Sequence, residues 1–222
     1  MVFLCSGGFI FIGMADELLN TTPKPTWYNN YFFRSKLEAK WAVFFDLMKI
    51  KWVYEPEPFN CNSGAQYTPD FFLPHAIFRD GLIPIELGDF DGVGATYEKR
   101  EPGVYIEIKP LSYPGDDEYE KRITSSMTMP LILLVGDPIE AIVNVHSYHS
   151  TNRNIQLTPW WDNQMIFMFC LKCRTLKFDF DEGSYYTCPA CGSSISYSDV
   201  EISHAAEVAR NFRFQFYDSR NK

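Results

Sequence analysis

Val104-Tyr105-Ile106-Glu107-Ile108-Lys109 is the stretch on which the fold reading turns. Its residues alternate with the two-residue period of a strand, so Val104, Ile106 and Ile108 share one face and Tyr105, Glu107 and Lys109 the other. A carboxylate and an ammonium thus leave one side of a strand whose back is apolar. Downstream, Leu131-Ile132-Leu133-Leu134-Val135 before Gly136-Asp137-Pro138 is apolar throughout, the pattern of a strand buried on both faces. Upstream, residues 51–54 read as a strand closed by Pro56 and Pro58. Tyr67-Thr68-Pro69-Asp70-Phe71-Phe72-Leu73 reads as another, with residues 60–64 as the turn between them.

From Ser35 the period lengthens to that of a helix, with Leu37, Trp41, Phe44 or Phe45 and Met48 three or four residues apart. Glu38, one turn after Arg34, sits at the edge of that apolar stripe. Residues 27–33 form an aromatic lead-in. Residues 83–102, rich in glycine and acids, predict a further hairpin or a loop over the site, and residues 118–127 a helix. Residues 139–148 are expected to continue as a strand beside 131–135. Residues 152–162 read as a linker, and residues 199–210 as a closing helix capped by Ser198 or Asp199.

At 222 residues, 46% hydrophobic and 17% aromatic, the chain has material for one well-buried domain and a smaller appendage. The divisions expected are a lead-in over 1–26, an α/β core over 27–150, a linker over 151–166, a ribbon over 167–198, and a helix and tail over 199–222. The formal charge of −8 excludes a strongly basic nucleic-acid binder. The excess lies early: residues 1–150 hold 12 of the 20 bases and 20 of the 28 acids, leaving 8 of each afterwards. The apolar start from Met1 to Gly13 lacks a basic n-region and is shorter than a membrane span, so neither a signal peptide nor a transmembrane helix is expected, and Met14 is a candidate start. There is no phosphate-binding P-loop, no dinucleotide glycine fingerprint and no nucleophile-elbow serine. His75, His146, His149 and His204 have no mutual ligand spacing and receive no role.

Four of the six cysteines form two pairs, Cys170-x2-Cys173 and Cys188-x2-Cys191, separated by fourteen residues. Each pair suits a knuckle turn, and the residues between them suit a hairpin arm, so four thiolates close around Zn2+. With all four positions filled by protein the zinc is structural. This spacing is typical of reducing compartments, and Cys5 and Cys61 are left as plain thiols.

A second constellation consists of hard oxygen donors. Asp70 at a strand end and Glu107 on the next strand are able to hold Mg2+, with the Ile108 carbonyl as a further ligand. Lys109 on the same face places an ammonium beside an attacking water or a phosphate. Singly, a Pro-Asp turn, a Glu-x-Lys strand pair or an Arg34–Glu38 helix salt bridge is commonplace; their order carries the weight.

Arg34-Ser35-Lys36-Leu37-Glu38-Ala39, then Pro69-Asp70, then Glu107-Ile108-Lys109 resemble the PD-(D/E)XK nuclease superfamily, particularly its small phage and mobile-element members. The likeness covers about residues 27–148. It implies a restriction-endonuclease-like mixed sheet flanked by helices. It also implies Mg2+ or Mn2+ on Asp70 and Glu107, a catalytic Lys109, and Glu38 supporting the metal or its water. The activity implied is metal-dependent hydrolysis of nucleic acid by water, with no covalent enzyme intermediate, on DNA in preference to RNA, in the cytoplasm (the host's, for a phage-encoded chain). The segment from Asp70 to Glu107 is longer than that group's usual hairpin, so Glu86 competes as second acid. Ile85-Glu86-Leu87-Gly88 puts glycine where the lysine belongs, which favours Glu107. Lys172, Arg174 and Lys177, in and after the first knuckle, are the candidates for phosphate contacts. From another class, a non-catalytic nucleic-acid or protein-binding module that keeps this fold and uses the ribbon as its surface is the alternative.

Overall fold

The alternating segment at 104–109 and the continuous one at 131–135 become neighbouring central strands in the computed structural model. It describes residues 23–61, 64–78, 82–86, 96–99, 102–113, 129–143, 149–150, 165–180, 187–195 and 200–214. In chain order the strands are β1 (Thr26–Tyr28), β2 (Tyr31–Phe33), β3 (Val53–Tyr54), β4 (Phe59–Asn60), β5 (Gln66–Tyr67), β6 (Phe71–Leu73), β7 (Ile77–Phe78), β8 (Leu82–Glu86), β9 (Thr96–Lys99), β10 (Val104–Lys109), β11 (Leu131–Val135), β12 (His149–Ser150), β13 (Met165–Phe169) and β14 (Leu176–Phe180). The helices described are α1 (Lys36–Leu47), α2 (Pro138–Val143) and α3 (Val200–Asn211). None is long and apolar enough to cross a membrane.

The main sheet is mixed, in the order β12-β11-β10-β6-β3. β10 and β11 run parallel, which suits strands buried on both faces, and β6 is antiparallel to both β10 and β3. The register places Phe71 opposite both Ile106 and Tyr54. One step further, Asp70 is flanked by Glu107 on one side and Glu55 on the other.

Ser35 starts α1 by accepting the Glu38 N–H at 3.1 Å, the bond expected of an N-cap. Trp41, Ala42, Val43, Phe44 and Phe45 are all buried, so α1 lies inside the molecule. The aromatic lead-in is the hairpin β1–β2, turned by Asn29 and Asn30 with φ of 47° and 66°, as a two-residue hairpin turn requires. Its Phe33 ring packs on Tyr54 and Phe71 with centroids 4.4 and 6.1 Å away, fixing the hairpin to the main sheet.

Three expectations are corrected. The single strand over 67–73 is two, because Thr68-Pro69-Asp70 breaks the ladder between β5 and β6. The strand expected over 139–148 is the helix α2 followed by β12. Asp137 Oδ1 accepts from the N–H groups of Ile139 and Glu140, and Glu140 Oε2 accepts from Asp137 N–H. With Pro138 in the first turn this is a complete capping box. Third, the ribbon does not pack as a separate domain. β14 pairs in parallel with β7, and Phe169, Leu176 and Phe178 belong to the same buried cluster as Trp41, Ile106 and Ile132. Ile202, Ala205, Ala206 and Ala209 of α3 belong to it too.

Asp137 also ties the helices together. Arg210 of α3 donates to it in bidentate fashion at 2.7 and 2.9 Å, and Lys40 of α1 lies 3.4 Å away. Burial pushes the Asp137 carboxyl up, but Arg210, the Glu140 N–H and Lys40 outweigh it and hold the group below the usual aspartate value. The segment 83–102 contains the hairpin β8–β9. The helix expected over 118–127, the linker over 152–162, the cap at 198–199 and the chain before residue 23 lie outside the described residues.

Candidate metal sites

Asp70 is 4% exposed and held from three directions. Its Oδ2 accepts the Ile108 N–H at 2.7 Å, so its side chain continues the ladder that β6 leaves off. Its Oδ1 accepts from Arg34 Nη2 at 2.7 Å, and its carbonyl accepts the Glu55 N–H at 2.9 Å. Glu55 adopts a left-handed backbone, φ 44°, and its carboxylate takes Arg34 Nε at 2.8 Å. Strain of this kind in a non-glycine residue is retained where the surroundings fix it, commonly at functional sites.

Glu107, 6% exposed, accepts from Tyr67 at 2.5 Å through Oε2 and from Lys109 Nζ at 2.6 Å through Oε1. Lys109 lies 5.5 Å from the centre of the Tyr113 ring. Glu38, 7% exposed, accepts from Ser35 Oγ at 2.7 Å and from Tyr54 at 2.6 Å. Asp70, Glu107, Lys109 and Glu38 thus fall in one neighbourhood. Arg34 does not make the helix salt bridge with Glu38; it crosses to Asp70 and Glu55.

Among the described residues this neighbourhood is short of positive charge: Glu38, Glu55, Asp70 and Glu107 meet Arg34 and Lys109, four acids against two bases, a formal deficit of two. Burial first, then the charges of Glu107 and Glu38, push the Asp70 carboxyl well above its usual range, against the opposing pull of the Ile108 N–H and Arg34. Burial works against the Arg34 charge, yet Asp70, Glu38 and Glu55 hold that guanidinium more firmly protonated than usual. Burial and the bond to Glu38 push the Tyr54 hydroxyl up, so it stays a donor.

The donor set fits a hard divalent cation. Asp70 and Glu107 offer hard carboxylate oxygens, buried and each already taking a hydrogen bond, and Ile108 directs its carbonyl to the same side as its N–H, as an extended residue does. Glu86 lies on β8, which pairs with β9 in a sheet separate from β10.

The second site is the cysteine cluster. Ligand atoms of Cys170, Cys173, Cys188 and Cys191 all lie within 4.8 Å of one another, the one such group among the described residues. Cys170 and Cys191 sulfurs are 3.6 Å apart, and those of Cys173 and Cys188 3.5 Å. A thiolate tetrahedron with Zn–S of ~2.3 Å has edges of about 3.8 Å, so the cluster is placed to hold a metal such as zinc. The two turns repeat each other. Arg174 N–H donates to the Cys170 carbonyl as Gly192 N–H does to Cys188, and the Cys170 N–H reaches Thr175 as the Cys188 N–H reaches Ser193. Burial pushes the Cys170 and Cys188 thiols up, the latter to about 12, while hydrogen bonds with Ser193 draw Cys191 down to about 6. Cys61 is a buried free thiol.

The three basic residues of the first knuckle do not all project outward. Lys172 is exposed. Arg174 bonds Glu201 of α3 at 2.5 Å and lies 5.7 Å from the Phe169 ring centre. Lys177 is 3% exposed, because β14 is laid against β7, and it is not available as a surface phosphate contact. His75 and His204 are exposed and outside both clusters.

Sequence reasoning missed Tyr67, Tyr54 and Glu55, which orient Glu107, Glu38 and Arg34. Only tertiary pairing brings them there; no local spacing marks them. Comparison with protein-family models, with curated proteins and with solved structures finds no match for this chain.

Proposed function

We propose that the protein is a divalent-metal-dependent nuclease built on a restriction-endonuclease-like core, acting on nucleic acid, DNA in preference to RNA. One observation supports it above the others. Three buried carboxylates, Asp70, Glu107 and Glu38, lie close enough at the inner strands of the main sheet to act on one another's charge, with two cations too few among the described residues to neutralise them and Glu55 together. A fold gains nothing from such a deficit, whereas a bound Mg2+ or Mn2+ balances it. When bound there, the cation supplies an activated water and neutralises charge on a scissile phosphate.

Asp70 and Glu107 are the ligands, assisted by the Ile108 carbonyl. Ile108 N–H and Arg34 fix the Asp70 carboxylate, and Tyr67 fixes that of Glu107. Lys109, anchored on Glu107 Oε1, holds an ammonium at the face where water and phosphate meet. Glu38 is oriented by Ser35 and Tyr54 and accepts a proton from water at the rim of the site. The cysteine cluster, holding zinc, is structural.

The test is a panel of end-labelled single- and double-stranded DNA and RNA, incubated with Mg2+ or Mn2+. Wild type is expected to cleave at least one member. Glu107→Gln and Lys109→Ala should each lose activity by ~100-fold or more while folding normally. Absence of cleavage with every substrate and either metal would leave the non-catalytic binding module in its place.

A further inference from the structure

Between the end of α1 and the first cysteine knuckle lies a cavity of about 430 Å³ that the carboxylate site does not use. Lys49, Lys51, His75, Pro102, Arg174 and Thr175 are among the residues that line it, and among the described residues no aspartate or glutamate does. In a chain of formal charge −8 this is a local inversion of sign. Lys49 and Lys51 are exposed, and neither takes part in an ion pair among the described residues.

The backbone adds an independent observation. Five described non-glycine residues have a left-handed φ: Asn29, Asn30, Lys49, Glu55 and Arg174. The asparagines turn a hairpin and Glu55 serves the carboxylate site. The other two, Lys49 at 58° and Arg174 at 60°, both line this cavity.

Each stands where glycine is the easier residue. Lys49 directly follows the capping residue of α1, Met48, and the Ile50 N–H closes back on the Phe45 carbonyl, an exit at which glycine is usual. Arg174 occupies the place that Gly192, φ 70°, fills in the second knuckle. The chain twice keeps a cation at a strained position, and both open onto one cleft. Attraction to the carbonyls at the end of α1 accounts for a cation near that end, but not for Lys51 or for the lack of acids among the described lining residues.

We propose that this cleft is a phosphate-binding site for a nucleic-acid backbone. Lys49 and Lys51 make the contacts, and Arg174, steadied by Glu201, forms the facing wall. The identity of the polyanion rests on the nuclease reading; the presence of an anion site does not. Pro102 in the lining precedes Glu107 by five residues, so this part of the lining is at most about 17 Å from Glu107 at ~3.3 Å per residue. That is at most about five phosphate steps of a duplex strand at ~3.4 Å each. The cleft would hold the substrate within several nucleotides of the cut, which explains how an acidic protein retains a polyanion beside its carboxylates.

The test is anisotropy of labelled single- and double-stranded oligonucleotides, titrated at several salt concentrations without added divalent metal, so that binding is read without cleavage. The double variant Lys49→Gly, Lys51→Gln removes both charges and relieves the backbone at residue 49. Its thermal midpoint should equal or exceed wild type. Its affinity should fall for every sequence alike, and its log–log salt slope should shrink by about 0.9 per lost contact on duplex and about 0.7 on single strands. Unchanged affinity and slope in the folded variant would overturn the proposal. A reduced slope in a protein whose wild type cleaves nothing would keep the cleft and reject the nuclease. Metal-dependent cleavage by wild type with an unchanged slope in the variant would reject the cleft alone.

Discussion

Stripping the metal from the four-cysteine cluster is expected to loosen the central sheet and not the knuckles alone. Phe169, Leu176 and Phe178 flank the first knuckle and are each no more than 2% exposed, inside the cluster that also holds Trp41, Phe71, Ile106 and Ile132. Burying one such side chain contributes ~1.5–3 kcal/mol, so the three together contribute about 5–9 kcal/mol. A domain's whole stability is about 5–15 kcal/mol. The thiolates hold β13 and β14 in register at their knuckle end, and metal binding in such sites is itself folding free energy. Loss of the metal therefore threatens most of the margin that keeps β10 and β11 closed. The assay is amide hydrogen exchange over residues 104–109 and 131–135, with thermal melting, on protein before and after chelation and on Cys188→Ser, with zinc content measured in each. Protection in both strands should fall and the melting midpoint should drop well beyond the ~4 °C that 1 kcal/mol typically gives. If zinc is gone and the exchange of β10 and β11 is unchanged, the ribbon is energetically separate and the shared core carries no coupling.

Asp70→Asn should melt higher than wild type at pH 7 without divalent metal, while added Mn2+ should raise the midpoint of wild type only. Asp70 has a raised folded pKa, so the native state holds that proton more tightly and loses stability as pH rises from the unfolded value of 3.8 through the folded one; the gain in the variant should vanish below pH 3.8. Asp137→Ala removes a helix cap and a bidentate arginine partner and should cost about 2–3 kcal/mol in urea denaturation. The folded pKa of Asp137 is depressed, so its contribution is present above pH 3.8 and should disappear as pH falls below that value. Tyr67→Phe should keep the ring packing and raise the Mn2+ concentration for half-maximal cleavage by ~10–100-fold, because the bond that orients Glu107 is lost.

What was legible in the sequence was what a period or a covalent spacing could carry. The 3.6-residue recurrence of Leu37, Trp41, Phe44 and Met48 marked α1, and the alternation at 104–109 marked β10 to its ends. The paired cysteines marked their own cluster, because two short turns bring all four sulfurs together almost regardless of the rest. Helix α2 was misread although its signal was present: Ile139, Ala141, Ile142 and Val143 look like a strand, but Asp137-Pro138-Ile139-Glu140 is a capping box with proline in the first turn. Asn29-Asn30 between two aromatic runs likewise spelled the hairpin β1–β2. The burial of Lys177 was not legible, since β7 and β14 are a hundred residues apart and no local pattern announces a parallel pairing. Nor was the bond of Tyr67 to Glu107, which depends on how the hairpin β4–β5 meets β10.

The two candidate metal sites stand in opposite relations to the stability of the fold. At the carboxylate cluster, Asp70 ionises only against burial and two neighbouring acids, so without a cation that region weakens the native state at neutral pH. In cysteine clusters of this kind metal binding is coupled to folding, and the strands beside this one deliver Phe169, Leu176 and Phe178 to the core that also lies behind Asp70 and Glu107. Ile108 sits at the junction: its side chain belongs to that core while its N–H holds Asp70 Oδ2. A ribbon that packs into the core, in place of one hung from a linker, is therefore in a position to offset the electrostatic cost of the acidic cluster through the same strand that carries it. This predicts a hierarchy in the response to chelators. A weak chelator that removes only hard-cation binding should abolish cleavage with the sheet intact, whereas one strong enough to strip thiolate-bound zinc should release β10 and the carboxylates with it.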